Sequence, residues 1–596
     1  MKDSHSPRTM EDIKQFPIDA AHAQGAGSQA LIDLVAEVTG AVADPPEAIE
    51  CVYLDTFDWR LYAADSVLEA VRDSRGWALT WSVLGDGRTL GRLSADRCPV
   101  FASDIEPAPA RARLAATMDI RALMERVRVR LNRQPLALRN DDDKTVVRLA
   151  LVEGTAIDPE TGDEATLSAR VTVQPVRGYD KAYDRIVTRL TDRFGAAVET
   201  GPLMVSALAA IGRTPGDYSS KIRLALARGT PAETALKDVC QTLLRVMERN
   251  VDGVLADTDS EFLHDFRVAV RRTRTALTQA KGVFPEAMRR RFADDFKWLG
   301  QLTGPKRDLD VFRLDVPGYQ NRLPDDQAGA LAPFQDFLDR RAQAALADLA
   351  RALRSERYRR LVGDWRDMLH SPTPPVDPPP EAHTPIERLA ARRIARAHKR
   401  VIKDGRRIDA QSPPEALHDL RKDAKKLRYQ LEFFRSLFDA DDVKTTVKAL
   451  KQLQAVLGTY QDSAVQREAL MAFGRAMTAE TSPPPETLMA LGTLTATLED
   501  RQADARAHFA DRFAAFDTAD VADRIAHMSR DAEAAAKPPA PPPDRPPRAA
   551  GSKADKKAMR TATASKAKSE TKTGKDKADK TKKPKKASKA KTGGRR

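Results

Sequence analysis

The sequence predicts an α+β N-terminal domain, followed by an all-α region built as a duplicated helical bundle and then by a disordered basic tail. Three observations carry this. Short β-type runs, such as Cys51-Val-Tyr-Leu-Asp-Thr and Ala169-Arg-Val-Thr-Val, are confined to residues before about Gly195. From about Pro231 to Arg530 the chain is rich in Ala, Leu, Arg, Asp and Gln, with apolar residues at helical spacing. Beyond Lys537, Pro-rich residues give way to a Lys/Ala/Thr/Ser tract, which lacks the apolar surface needed to offset chain entropy.

A chain of 596 residues should hold more than one core, because single cores rarely exceed about 250–300 residues. The expected units are 1–195, 231–370, 381–530 and 537–596. The break between the two helical stretches is Ser371-Pro-Thr-Pro-Pro-Val-Asp-Pro-Pro-Pro, a run that cannot continue a helix. The three cysteines, Cys51, Cys98 and Cys240, are far apart and form no metal-ligand pair, usage that suits a reducing compartment. No run of about 18 apolar residues is present, and the first residues lack a signal-peptide core. A cytoplasmic location without a membrane span is expected.

Charge is distributed unevenly. Residues 551–596 hold 15 Lys and 3 Arg against 3 Asp and 1 Glu, which accounts for the whole net charge of +14. The preceding residues sum to zero, so an anion site in the folded part must rest on local clustering.

The helical region repeats itself. A shift of 154 residues carries Leu263-His264-Asp265-Phe266-Arg267 onto Leu417-His418-Asp419-Leu420-Arg421. It carries Arg271, Arg272 and Arg274 onto Lys425, Lys426 and Arg428, then Leu277 onto Leu431 and Phe284 onto Phe438. Lys297, Leu299, Gly304 and Asp308 fall on Lys451, Leu453, Gly458 and Asp462 without a gap. A single offset held from Leu263 to Asp308 predicts a duplicated unit.

On a helix, His264, Arg267, Arg271 and Arg274 fall within an arc of roughly 80°, beside the apolar seam of Leu263, Phe266, Val270 and Leu277. The second copy sets His418, Arg421, Lys425 and Arg428 beside Leu417, Leu420, Ala424 and Leu431. Arg272, Lys422 and Lys426 lie further round and are expected to widen the stripes. Like charges one turn apart destabilise an isolated helix by about 0.2–0.5 kcal/mol per pair. Asp265 and Asp419 point about 100° away, so no carboxylate is expected within the stripe. A multivalent anion would relieve the repulsion, taking hydrogen bonds from Arg, Lys and His. Such a helix also serves as a solvated face or an ion-pair partner, and 85 acidic residues supply partners. Two copies with one spacing favour the anion site. On the next helix, Arg290 and Lys297 map onto Lys444 and Lys451, with Lys448 between at i, i+4, i+7 spacing. Gly304-Pro-Lys-Arg307-Asp308-Leu-Asp310 reads as a turn and helix start, with Asp308 and Asp310 capping the helix or pairing with Arg307.

The stretches HDFRVAVRRTRTAL and LGQLTGPKRDLDVF, then LHDLRKDAKKLRYQLEFF and LKQLQAVLGTYQD, resemble the CHAD family of histidine-bearing α-helical domains over about residues 231–530. The resemblance implies two helical bundles with pseudo-twofold symmetry and a basic surface that binds inorganic polyphosphate, in some members at polyphosphate granules. The implied ligands are His264, Arg267, Arg271, Arg274, Lys297 and Arg307, then His418, Arg421, Lys425, Lys426, Arg428 and Lys451. Gln461 stands where the repeat pairs it with Arg307, which implies weaker binding by the second half. Ahead of this, Tyr53-Leu-Asp55-Thr56, Leu61, Gly76-Trp77-Ala78-Leu79-Thr80 and Val176-Arg177-Gly178-Tyr179 resemble a degenerate CYTH domain, a β-barrel forming a triphosphate tunnel. That family's Glu-x-Glu-x-Lys strand is absent from the first 50 residues. Leu68-Glu69-Ala70-Val71-Arg72 and Leu79-Thr80-Trp81-Ser82 replace its Leu-Arg-x-Arg and Leu-Thr-x-Lys. Tunnel catalysis needs carboxylates for a metal and cations for the triphosphate, and both are depleted.

Gly85-x-Gly87-x-x-x-Gly91 has the wrong spacing for a dinucleotide fingerprint and reads as a hairpin turn. No phosphate-binding loop, zinc spacing or nucleophile motif is present. The expectation is therefore a polyphosphate-binding protein without catalytic residues, metal or cofactor. The tail would add a flexible arm for DNA or polyphosphate through counterion release, without base readout. Two rivals remain: a metal-dependent triphosphatase using the N-terminal domain, and a nucleoid protein binding DNA through its tail.

Overall fold

The computed structural model describes residues 13–18, 28–73, 76–85, 87–196, 203–221, 225–325, 327–372 and 378–534. The expected tail, 537–596, lies outside them.

The N-terminal part is one antiparallel sheet of nine strands: β1 (Lys14–Pro17), β2 (Val42–Ala43), β3 (Glu47–Thr56), β4 (Ser66–Asp73), β5 (Gly76–Val83), β6 (Thr89–Ala95), β7 (Leu123–Arg139), β8 (Thr145–Ile157) and β9 (Glu164–Pro175). Its helices are α1 (Ser28–Thr39), α2 (Arg60–Ala63), α3 (Pro109–Met118), α4 (Asp180–Phe194) and α5 (Leu203–Ala210). The order is β1-β9-β8-β7-β3-β4-β5-β6, with β2 beside β7. The glycines at 85 and 87 do sit in the β5–β6 turn, where Gly87 takes a φ of 69°.

The expected closure into a barrel is not made among the described residues, since β1 and β6 end an open path. Alternation along the strands gives the sheet two apolar faces. On one, Val147, Leu149, Leu151, Val171 and Val173 pack against α1 and α4. On the other, Cys51, Tyr53, Val67, Val127 and Val129 pack against Met204, Ala207 and Leu208 of α5. A helix thus occupies a sheet face that a tunnel would leave open to its ligand.

The remaining helices are α6 (Ala232–Ala256), α7 (Ser260–Gln279), α8 (Glu286–Leu302), α9 (Gly304–Gln320), α10 (Ala332–Leu353), α11 (Glu356–His370), α12 (Ile386–Gly405), α13 (Pro414–Phe433), α14 (Ala440–Glu480), α15 (Pro485–Ala507), α16 (Phe509–Phe516) and α17 (Ala519–Ala534). The 154-residue offset reappears in their boundaries. Both ends of α7 map onto both ends of α13, and the starts of α6 and α8 map onto those of α12 and α14. Pro231 and Pro385, equated by the offset, form an antiparallel bridge. Around it, Ala232 N donates to Thr384 O and Ile386 N to Thr230 O, both at 2.9 Å. The halves differ at Pro305, which follows a break at Thr303; its counterpart Thr459 has an N–H to give, and α14 runs on unbroken.

The helices bearing the stripes start for local reasons. Asp259 caps α7, accepting from Glu261 N at 2.9 Å and Phe262 N at 3.2 Å. Pro414 opens α13 at a position where a missing N–H removes no helical bond. The seam predicted for each is buried, from Leu263 to Leu277 and from Leu417 to Leu431.

The sheet docks on the first half through Arg121, which is fully buried. Its guanidinium reaches Asp265 at 2.5 Å, Asp259 at 3.2 Å and Asp58 at 3.6 Å, and lies over the Phe262 ring. Tyr218 donates to Asp265 at 3.0 Å and accepts from Asn250 at 2.8 Å. The α7 cap is therefore part of the joint. No described helix is long and apolar enough to cross a membrane.

Candidate functional site

The two stripes meet. Arg271 of α7 lies over the ring of Tyr429 on α13, 5.6 Å from its centroid, and Arg428 approaches the same ring at 5.5 Å. Arg271 also acts electrostatically on Lys425, its counterpart by the offset. A cationic track results, running from Arg307 and His264 through Arg267 and Arg271 to Lys425, Arg421 and His418.

Its ends are built alike from different chemistry. Arg307 Nη2 stands 3.0 Å from His264 Nδ1, and Arg307 Nη1 donates to Ser260 O at 3.0 Å. In the second half Gln461 Oε1 stands 2.8 Å from His418 Nδ1. An arginine can only donate, so His264 Nδ1 must accept and the ring proton sits on Nε2. The departure at position 461 keeps the histidine contact and removes a charge.

Burial, then Arg307 and Arg271, push the His264 pKa down to about 4. Burial, then Arg421 and Arg271, push Lys425 down to about 8, with Asp462 opposing. Arg267 is held by Gly300 O at 3.2 Å and Thr303 Oγ1 at 2.9 Å. A Cβ on Gly300 would stand 3.2 Å from Arg274 Nη1, so the glycine lets that guanidinium lie close to α8. Arg271 and Arg274 are exposed, as is Lys297 on α8, three residues before Gly300.

Three expectations need correction. Carboxylates do reach the stripes: Asp462 of α14 pairs with Arg421 at 2.8 Å, Asp308 of α9 feels Arg267 and Arg307, and Glu432 of α13 itself stands 3.5 Å from Arg428. The residues expected to widen the stripe turn elsewhere. Arg272 reaches Glu432 at 3.7 Å, while Lys422 pairs with Asp419 and Lys426 with Asp423, each at 2.9 Å. Asp310 is buried on Lys306 at 2.6 Å rather than capping α9 or pairing with Arg307. Lys444, Lys448 and Lys451 are exposed along α14. Lys444 and Lys451 line a cavity of about 570 Å³ with Arg272, Arg435 and Lys221. The last two were missed because they lie outside the repeated motif.

The CHAD-domain family model matches residues 238–471. Two uncharacterized proteins of Mycobacterium tuberculosis, from strains CDC 1551 / Oshkosh and ATCC 25618 / H37Rv, are each 30% identical over 301 residues, 49% of this chain. The chain spans about half the length (54%) of these curated relatives. Among solved structures, the CHAD domain from the plant Ricinus communis is 27% identical, covering 49% of this chain and 94% of its own, with a TM-score of 0.41. PptA from Streptomyces chartreusis is 16% identical, covering 48% of this chain and 100% of its own, with a TM-score of 0.36.

Proposed function

Residues 238–471 are a CHAD domain, and on that premise we propose that the track from His264 to His418 binds inorganic polyphosphate. The observation that carries the reading is the meeting of the stripes at Arg271, Lys425 and Tyr429. A linear polyanion can follow such a track and bring phosphoryl oxygens to guanidinium, ammonium and imidazole donors in turn. Burial, and then neighbouring cations, disfavour the charged forms of His264 and Lys425 in the free protein, and a bound anion would favour them.

We infer further that the helical halves are a duplicated unit, since helix ends and the bonds about Pro231 and Pro385 obey one offset. The sheet domain serves as a degenerate CYTH-like scaffold in this reading, its inner face taken up by α5. The tail acts as an electrostatic arm holding a granule or DNA by mass action.

The test is Arg271→Glu with Lys425→Glu in the full chain. Affinity for long-chain polyphosphate should fall at least ~100-fold, two charged hydrogen-bonding groups being worth about 1.5–3 kcal/mol each. Both side chains lie outside the core, so the melting temperature should hold within about 2 °C. Unchanged affinity would sink the assignment. Phosphate release from triphosphate with Mg²⁺ or Mn²⁺ would instead favour an enzyme.

A further inference from the structure

A groove of about 1070 Å³ opens on the side of α13 away from the track. Asp423, Lys426 and Gln430 face it, about 150° round the helix from His418, Arg421 and Lys425. Its main wall is α12, whose Arg392, Arg396 and Arg400 recur at i, i+4, i+8 with Arg393 beside them. Lys281 and Arg290, from the α7–α8 corner of the first half, close the other side.

The carboxylates in the groove are already engaged. Glu286 is held by Arg289 at 2.8 Å and Arg290 at 2.7 Å, Glu381 by Arg392 at 2.5 Å, and Asp423 by Lys426 at 2.9 Å. Arg396 and Lys281 make no ion pair among the described residues, and Arg400 is 4.0 Å from Asp423. Arg393 donates through Nη2 to Lys281 O at 2.9 Å, but its buried Nη1 has no acceptor. Burial, with Arg392 and Arg396 adding to it, lowers that guanidinium to about 10. A buried donor without a partner is costly, and a ligand oxygen would satisfy it.

This charge is not part of the repeat. The offset carries Arg392, Arg393, Arg396 and Arg400 back onto Asp238, Val239, Thr242 and Val246 of α6. The groove is therefore a feature of one half, with a wall borrowed from the other.

We propose that the α12 groove is a second anion site, separate from the track, for a compact small molecule carrying several phosphoryl groups. Guanidinium forks at successive turns match phosphoryl oxygens in pairs. A concave wall supplied by both halves encloses a compact anion, whereas the open track suits a chain. Its occupant would bridge the two halves.

The probe is inorganic tripolyphosphate, titrated by calorimetry into the full chain at about 0.15 M salt, where screening weakens the tail. In an R271E/K425E background the chain should retain one saturable site. Adding Arg396→Glu and Arg400→Glu should weaken it at least ~100-fold, the loss of two charged contacts. Both arginines are exposed, and R396Q/R400Q should reproduce the loss in case charge reversal perturbs folding. Identical isotherms with and without the groove substitutions would overturn the proposal. So would displacement of groove-bound tripolyphosphate by long-chain polyphosphate in the unsubstituted protein, which would make the groove part of the chain's path. Failure of the track shows separately, as long-chain binding that ignores R271E/K425E.

Discussion

Lys425 holds the sharpest consequence at the scale of single residues. Its folded pKa of about 8 lies below the ordinary lysine value of about 10.4, so the folded state disfavours its charge. The stability this linkage lends is present above the ordinary value and is lost as pH falls through the folded one. At neutral pH the ammonium is thus held at a cost, from burial first and from Arg421 and Arg271 next, that a bound anion offsets. Polyphosphate affinity should decline as pH rises through 8, by up to about tenfold per unit. Lys425→Arg should keep the affinity and remove that decline; a K425R chain with the original pH profile would overturn the account. The histidines and basic residues of the track were legible because one helical face carries them. Asp462 and Asp308 were not, since they arrive from other helices, α14 and α9, and a helical wheel registers only its own neighbours. Gln461 was legible as a departure, but that it would take over the histidine contact required the fold.

Helices α6 and α7 show how closely the elements are fitted. A Cβ on Gly253 would stand 2.2 Å from the Phe262 ring, where α7 begins and where Arg121 also rests. Gly253→Ala should push α7 outward and destabilise the protein by about 1–3 kcal/mol, read by chemical denaturation. Phe262→Leu in the same chain should recover part of the loss; an additive loss would place the damage elsewhere. At this scale the sequence was most readable, for the offset anticipated helix ends as well as motifs. It did not anticipate the unbroken α14, which turns on Thr459 in place of Pro305. Nor did it reveal the α12 arginines, which spacing alone cannot tell from a solvated face.

For the molecule as a whole, the informative pair is Asp265 and Asp419. The repeat equates them, yet Asp265 is buried on Arg121 while the Asp419 side chain is 71% exposed. Nothing local distinguishes them, because Arg121 approaches from 144 residues away. The sheet's apolar strands were legible, but their open order and the covering of one face by α5 depend on long-range pairing. Arg121→Met would strand Asp259 and Asp265 without a cation, at a cost of about 3–5 kcal/mol. Scanning calorimetry should show the melting temperature fall or the transition split between sheet and bundle. A single transition at the original temperature would mean the joint bears no load. The bridge at Pro231 and Pro385 reaches further. Each of its two flanking bonds is the other's mate under the offset, so either half by itself carries both a donor and an acceptor edge. The two bonds thus stand to each other as the paired contacts of an isologous interface between like halves do. The covalent link through the proline run then serves to fix which two halves meet, and so permits them to diverge: one to receive the sheet, the other to gather arginines along α12.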